Sequence, residues 1–416
     1  MIELTLVVKV RLTPNSKQAK QFAEVSEVYR QACNVVSNWY FEHHFDVSRA
    51  DFNRDMYYKI KELFPKLNTA MVQSTYRTTV ARYDSVETQL AKRPYKVWSG
   101  KYDDQKHKIF LFIKRDLEWL QKPIYFKRPQ ADYLRNINYS FTEHYGQISL
   151  NVLGTRIKVD YCHNFNNLLF AETSKIGTAK LVSACDHWYL HIPVTFNVDP
   201  LKNDQIQHVV GIDRGLRFIA TCYDEKHQTK FISGKHILHV RRKYAKLRAQ
   251  LQAKGTKSAK RRLKKIDNRE NRWMSDVNHC LSKALVYQYG KNTLFVLEDL
   301  TGVTFDTTKN RKKENRYEHN SWAFYQLEQF LTYKAELNHS KVIEVSAKYT
   351  SQRCPRCGRI NKENRDHELH LYKCDRCGYS TNDDRLASIN IQHLGTEYVT
   401  GNPKPEFVKK QIKKQK

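Results

Sequence analysis

Residues 350–391 read TSQRCPRCGRINKENRDHELHLYKCDRCGYSTNDDRLASINI and hold the most specific pattern in the chain. Two C-x2-C pairs, Cys354 with Cys357 and Cys374 with Cys377, are separated by sixteen residues, and a glycine, Gly358 or Gly378, follows the second cysteine of each. This spacing predicts two tight knuckles whose four thiolates close a tetrahedral site for one structural Zn²⁺. Such a site has no open position, so the ion is expected to hold the fold rather than catalyse. His367 and His370 fall between the knuckles, but four thiolates already saturate the ion, and both read as loop residues. Directly after the second knuckle, NDDRLASINI opens a helical stretch with Asp384 near its start.

Two more acids stand at the ends of apolar strands. Asp213 follows Val209-Val210-Gly211-Ile212 in GIDRGL, and Glu298 ends the apolar run of NTLFVLEDL at 292–300. Singly, each acid reads as readily as a turn residue or a helix cap. Jointly they suggest a carboxylate cluster for Mg²⁺, or Mn²⁺, because an acid leaving a buried strand needs a cation to meet it. Two such ions about 3.5–4 Å apart would activate water and stabilise the leaving 3′ oxygen of a phosphodiester. In a cationic protein this cluster reads as a nuclease.

The composition agrees with a polyanionic partner. Across 416 residues, 72 Lys and Arg oppose 43 Asp and Glu, a formal net charge of +29 that excludes an ordinary metabolic enzyme as the first reading. Nucleic acid, bound through counterion release, is the expected partner. Hydrophobic residues at 40% and aromatics at 12% exclude a wholly disordered basic chain. No apolar run approaches the ~18 residues of a membrane span, and MIELTLVVKVRLTPNSKQ lacks the pattern of a signal peptide. The expectation is a soluble, cytoplasmic protein with no membrane partner. Cys33, Cys162, Cys185, Cys222 and Cys280 are scattered, so they form no disulfide framework and read as small buried hydrophobes.

Periodicity divides the chain. IELTLVVKVRL alternates as a strand stopped by Thr13-Pro14-Asn15, whereas 18–41 and 68–90 carry apolar residues at helical spacing. A helical unit is expected over about 15–120, followed at 124–198 by short strands that suggest a small antiparallel barrel joined by the N-terminal strand. Asp199-Pro200 reads as a linker. Residues 241–272 read as a helical hairpin broken near Gly255, rich in Lys and Arg with only Asp267 and Glu270 opposing them. Residues 309–316, KNRKKENR, read as a polar loop, and 401–416 as a basic disordered tail.

The order GIDRGLRFIA, basic hairpin, FVLEDL, then TSQRCPRCG through YKCDRCGYSTNDDRLASINI resembles the TnpB family of transposon-encoded RNA-guided nucleases, whose type V CRISPR relatives share this core. The likeness extends into NRWMSDVNHCLSKALV (271–286) and WAFYQLEQFLTYKAELN (322–338), and is weaker at the N-terminus. The resemblance implies a mixed α/β multidomain protein. Its parts would be a wedge-like antiparallel β-barrel from 1–13 and 123–203, a helical recognition lobe at 14–122, and an RNase H-like RuvC nuclease domain from 204–349 and 381–400. A four-cysteine zinc ribbon at 350–380 would be inserted in the last.

Asp213, Glu298 and Asp384 match the family's catalytic, Mg²⁺-binding acids; Asp299 and Asp383 are the neighbours that could be mistaken for them. One departure is Leu386, where the family often carries Asn. The family precedent is a guide RNA that pairs with DNA beside a short motif read by the protein, which acts as a monomer within the ribonucleoprotein, on double- and single-stranded target, at the prokaryotic nucleoid. Lys260, Arg261, Arg262, Lys264 and Lys265 are candidates for guide or heteroduplex phosphates. Gln73 has the amide that reads an adenine edge, although an exposed helical glutamine is the commoner reading. Trp39, Tyr76 and Tyr83 could stack on bases, yet their helical spacing favours core. The loop at 309–316 could gate strand entry. The alternatives are a compact type V CRISPR effector, a nuclease-weak RNA- and DNA-binding regulator of transposition, which the intact acids argue against, and a guide-independent nuclease of the RNase H kind.

Overall fold

Strand β1 (Ile2–Leu12) forms from the alternating N-terminal run, and Asn15 then turns the chain into α1 (Ser16–Glu42) through a capping box. The Gln18 N–H donates to Asn15 Oδ1 at 2.9 Å and the Asn15 N–H to Gln18 Oε1 at 3.0 Å. The computed structural model describes every residue except 104–106, 129, 143, 145, 163–174, 185, 267, 301–323, 367 and 409–416. The basic loop at 309–316, Cys185, Asp267, His367 and the end of the basic tail lie outside the described residues. The chain divides into two units, Glu3–Asn197 and Met1–Ile2 with Val198–Lys416.

In the first unit α2 (Arg49–Asp55), α3 (Tyr57–Leu63) and α4 (Thr69–Ala91) follow α1. The apolar faces of α1 and α4, including Phe22, Val25, Tyr29, Val36, Val72 and Tyr83, are buried in one core. Its polar tips are paired: the Tyr29 hydroxyl lies 2.8 Å from Ser74 Oγ, and the Tyr83 hydroxyl 3.1 Å from Ser37 Oγ. The expected helical unit ends early. Strands β2 (Tyr95–Tyr102) and β3 (Lys108–Ile113) form an antiparallel hairpin, because YKVWSGKY and KIFLFI are rich in the aromatic and β-branched residues that favour extended chain.

Strands β4 (Ala131–Tyr133), β5 (Tyr139–Phe141), β6 (Gln147–Val152), β7 (Thr155–Asp160), β8 (Lys175–Ile176), β9 (Ala179–Ala184) and β10 (His187–Val198) complete this unit. One sheet has the order β1-β10-β9-β4, with β8 also on β10; another is β5-β6-β7. The N-terminal strand joins both, since Leu12 bridges Tyr161 just beyond β7 and the Thr13 N–H donates to Asp160 O at 2.9 Å. The expected barrel is not closed among the described residues. Strand β4 is three residues long, and among the described residues it pairs with β9 while the chain just beyond it reaches β5 through the isolated Arg135–Tyr139 bridge, too little for a continuous ladder.

The second unit holds β11 (His208–Asp213), β12 (Phe218–Tyr223), β13 (Thr229–Ser233), α5 (Lys235–Lys254), α6 (Lys257–Ile266), α7 (Arg269–Tyr289), β14 (Thr293–Asp299), α8 (Phe324–Leu337) and β15 (Lys341–Ser346). Their sheet has the order β13-β12-β11-β14-β15, antiparallel across the first three strands and parallel across the last three. The basic hairpin forms as α5 and α6, broken at Gly255 with φ +60°. Arg241 and Arg248 converge on buried Glu270 at 3.1 and 2.6 Å and tie α5 to the start of α7. Short strands β16 (Arg365–Asp366), β17 (Leu371–Lys373) and β18 (Ser380–Asn382) pair antiparallel, and α9 (Asp383–Val399) follows. The whole is a mixed α/β fold, and no helix among the described residues is long and apolar enough to cross a membrane.

Candidate functional site

Strands β11 and β14 are apolar throughout because both of their faces are covered. Val210, Ile212, Phe295 and Leu297 are buried with residues of α7 and α8, whereas Leu294 and Val296 are buried with Ile391 and Leu394 of α9. The period of two then puts Asp213 and Glu298 on the α9 face, at the C-terminal ends of neighbouring parallel strands, one step beyond the Ile212–Leu297 pair. Helix α9 lies close on these strands. A Cβ at Gly211 would sit 2.3 Å from Ser388 O and 2.4 Å from Gln392 N, and one at Gly395 would sit 2.4 Å from Val296 Cγ2. This approach carries the first turn of α9, with Asp384, to the ends where the other two acids stand.

The three carboxylates share one field. Burial, then Glu298 and Asp384, push Asp213 well above the ordinary carboxylate range, with Arg365 opposing. Burial raises Glu298 against the pull of the Thr350 hydroxyl, Arg214 and Arg365. Burial and Asp383 raise Asp384 against Arg365, His370 and Arg217. Acids whose charged forms are disfavoured together in this way could hold a cation.

The adjacent acids at 383 and 384 are told apart by their partners. Asp383 is 1% exposed, takes Arg365 Nη2 at 2.9 Å and Nε at 3.0 Å, and accepts the Asp384 N–H at 3.0 Å. Asp384 Oδ2 is buried with no hydrogen-bond partner, an orphaned acceptor of the kind a cation satisfies. At the other doublet Asp299 is exposed, and Glu298 is the half-buried member. The donor set is therefore all hard oxygen, which suits Mg²⁺ or Mn²⁺. His370, Asp383 and Asp384 also place one ligand atom each within 4.8 Å of one another.

The cysteines converge as their spacing predicts. Cys354 Sγ lies 3.6 Å from Cys377 Sγ and Cys357 Sγ 3.5 Å from Cys374 Sγ, with all four within 4.8 Å. Four sulfurs at about 2.3 Å from a tetrahedral zinc are about 3.8 Å apart, so the cluster has zinc-binding geometry. The knuckles are built alike. The Gly358 N–H returns to Cys354 O at 2.9 Å and the Gly378 N–H to Cys374 O at 3.0 Å, and both glycines have positive φ, +72° and +70°. Leu386 is fully buried with Cys354, Tyr372 and Cys374. Its side chain serves the core of the knuckle module, which gives the departure from the family's Asn a packing role here.

Of the remaining candidates, Lys260, Arg261, Arg262, Lys264 and Lys265 are exposed on α6. Gln73 Nε2 donates to Asn53 Oδ1 at 2.7 Å and its Oε1 accepts from Arg49 at 3.5 Å, so the amide is engaged within its own unit. Trp39, Tyr76 and Tyr83 pack in or against the first core, as their spacing favoured. Sequence reasoning missed two arginines. Arg365 braces Asp383, and Arg214, 1% exposed, donates to Glu298 O at 2.5 Å and Glu328 Oε2 at 2.9 Å. Arg214 stands beside a flagged acid and was open to notice; nothing in the sequence around Arg365 distinguishes it from other basic loop residues.

Two family models match the chain: one described as a probable transposase over residues 191–302, the other as a Cas12f1-like TNB domain over 324–391. The first spans Asp213 and Glu298, the second the four cysteines and Asp384. A CRISPR-associated endodeoxyribonuclease Cas12f1 from Syntrophomonas palmitatica is 24% identical over 84% of this chain and 71% of its own. A TnpB-like protein of Methanocaldococcus jannaschii is 28% identical over 48% of this chain and 72% of its own. Among solved structures, that of the mini-RNA-guided endonuclease CRISPR-Cas_phi3 superposes with a TM-score of 0.51 at 11% identity, covering 96% of this chain and 93% of its own.

Proposed function

We propose that this chain, a homologue of the TnpB-like and Cas12f proteins, is an RNA-guided DNA endonuclease that cuts by metal-dependent phosphodiester hydrolysis. The observations that support the proposal are the placement of Asp213 and Glu298 at the ends of neighbouring parallel strands, the charge coupling of Asp213 to Glu298 and Asp384, and the unpaired Asp384 oxygen. In this reading residues 204–349 and 381–400 form an RNase H-like RuvC nuclease domain, an assignment supported by the mixed five-stranded sheet with acids on its parallel pair. Asp213, Glu298 and Asp384 would hold Mg²⁺ or Mn²⁺. When bound, such ions supply an activated water and charge stabilisation at the leaving oxygen. Asp383 and Arg365 hold the start of α9 in place, and Arg214 fixes the backbone of Glu298.

The four cysteines would hold one structural Zn²⁺. The exposed cations Lys260, Arg261, Arg262, Lys264 and Lys265 would meet phosphates of the guide or heteroduplex, consistent with the +29 charge and with delegation of sequence reading to base pairing. The parts at 1–13, 14–122 and 123–203 would bind the RNA and the DNA motif, with one protein copy per guide at the nucleoid. A compact type V effector is the second reading, favoured by the long alignment with a Cas12f1.

The test is to purify the protein expressed from its native locus, sequence the copurifying RNA, and offer DNA matching the guide. Cutting that requires a divalent ion and is lost in Asp213→Ala is expected. Cutting that survives chelation, or full activity of Asp213→Ala, overturns the proposal. RNA that runs past a transposon border supports the TnpB reading, and repeat-derived RNA the CRISPR one.

A further inference from the structure

The β2–β3 hairpin leaves its side chains outside the core of its unit: none of the described residues from Tyr95 to Ile113 belongs to it. Cross-strand register pairs Lys96 with Phe112 and Trp98 with Phe110 and, past a bulge between Trp98 and Tyr102, Tyr102 with Lys108; ring and cation contacts across the bulge gather these side chains on one face. On that face cations and rings interleave. Lys96 Nζ is 3.9 Å from the Phe110 centroid, Lys108 Nζ is 5.2 Å from that of Trp98, and the Trp98 and Tyr102 rings meet edge-on at 6.0 Å. The rings are nonetheless open, with Trp98 47%, Tyr102 55% and Phe112 66% exposed.

A two-stranded hairpin is marginal by itself in water, and a bare aromatic patch of this kind marks an interaction site. Its charge says what covers it. Residues 92–115 carry eight Lys and Arg against two Asp, so the occupant is a polyanion. A second copy of the chain would bring the same cationic hairpin and be repelled. Rings set among lysines match unpaired nucleotides, whose bases stack on aromatics while the phosphates meet the cations.

We propose that this face of the hairpin docks an unpaired segment of the guide RNA, stacking bases on Trp98, Tyr102 and Phe112. The proposal rests on the RNA-guided reading given above. Guide RNA is favoured over a displaced DNA strand because a guide stays on the protein between cuts and keeps the apolar rings covered, whereas a displaced strand is present only during a cut.

The experiment uses the full chain stripped of nucleic acid at high salt, with fluorescein-labelled oligo(U) and oligo(dT) of equal length as probes. Anisotropy is read at several salt concentrations, and sedimentation reports the oligomeric state. In Trp98→Leu/Tyr102→Leu the affinity for oligo(U) is expected to fall about tenfold or more, with oligo(dT) affected no more strongly. Lys96→Gln/Lys108→Gln is expected to flatten the dependence of log K on log salt by about 1.4, the share of two phosphate contacts. Thermal melts report whether each variant keeps its fold, and the lysine pair tests the same face without removing a ring. Unchanged oligo(U) binding in both variants overturns the proposal while leaving the RNA-guided reading intact. Loss confined to oligo(dT) overturns the choice of RNA. A dimer lost with the rings, at unchanged RNA affinity, overturns it in favour of a second copy. No RNA binding by the wild-type chain overturns both this proposal and the reading beneath it.

Discussion

Arg365, in the short sheet between the two cysteine knuckles, reaches buried Asp383 with Nε at 3.0 Å and Nη2 at 2.9 Å, and so pins the first turn of the helix that carries Asp384. The pair divides the acid doublet into a structural member and a free one. Asp383→Asn is expected to lower Tm, because removing one partner of a buried pair costs about 3–5 kcal/mol. Asp384→Asn is expected to leave Tm unchanged or raise it, since it relieves a buried, repelled carboxylate, while reducing DNA cleavage to background. The opposite pattern in paired melts and cleavage assays would exchange the two roles.

The same geometry ties the cysteine cluster to the acids. Cys357→Ser, or stripping with a strong chelator, is expected to unfold the module that presents Arg365 and with it to abolish cleavage, because a structural zinc is worth about 10–16 kcal/mol to a small module. Metal analysis should find one zinc per wild-type chain and less than one in the variant. A zinc-free chain with full activity would remove the cluster from the account.

Gly211→Ala tests the close approach of α9. The added methyl would lie 2.3 Å from Ser388 O, a backbone atom, so the helix must move. The expected cost is about 1–3 kcal/mol. Cleavage should fall further than stability does, because the displacement separates Asp384 from Asp213. Melting and cutting rate measured on the same preparation decide it.

A pH dependence follows from Glu344 on β15. Burial, then Glu328 and Asp299, push its carboxyl up to about 7 against the pull of Arg214. A folded value above the unfolded one, about 4.3, means that the folded state holds a proton the unfolded state has released. Stability from this group is therefore present below about pH 4.3 and is lost as pH rises through 7. Glu344→Gln is expected to raise Tm at pH 8 and to leave it unchanged near pH 4, a crossover that melts across the range would show.

Much of this was legible along the chain. The C-x2-C pairs and the strand-end acids are local patterns whose chemistry follows from residue type and spacing, and the capped helices at 16–42 and 69–91 announced themselves by period. The hairpin at 95–113 was legible only weakly as a departure from the helical unit before it: its strand-favouring residues are a local signal, but its aromatic side chains belong to no core cluster and give no clear in-out alternation. Closure of the expected barrel is not seen among the described residues for a related reason. Strand propensity is local, whereas whether a ring of strands closes depends on ladder lengths between distant segments, and β4 is too short to supply one.

Residue order alone fixed the +29 charge, the four thiols, the period of two that turns Asp213 away from Ile212 and Glu298 away from Leu297, and the helical stretch that opens around Asp384. Folding chose which face that is and what lies on it. Parallel pairing of β11 with β14 set the two acids side by side, and the missing side chains of Gly211 and Gly395 let α9 descend close enough to add the third. The pairing of Arg365 with Asp383, not any property of the doublet itself, left Asp384 as the acid with an oxygen to spare. Such outcomes depend on contacts between residues far apart in the chain, and only packing brings those residues within hydrogen-bonding distance.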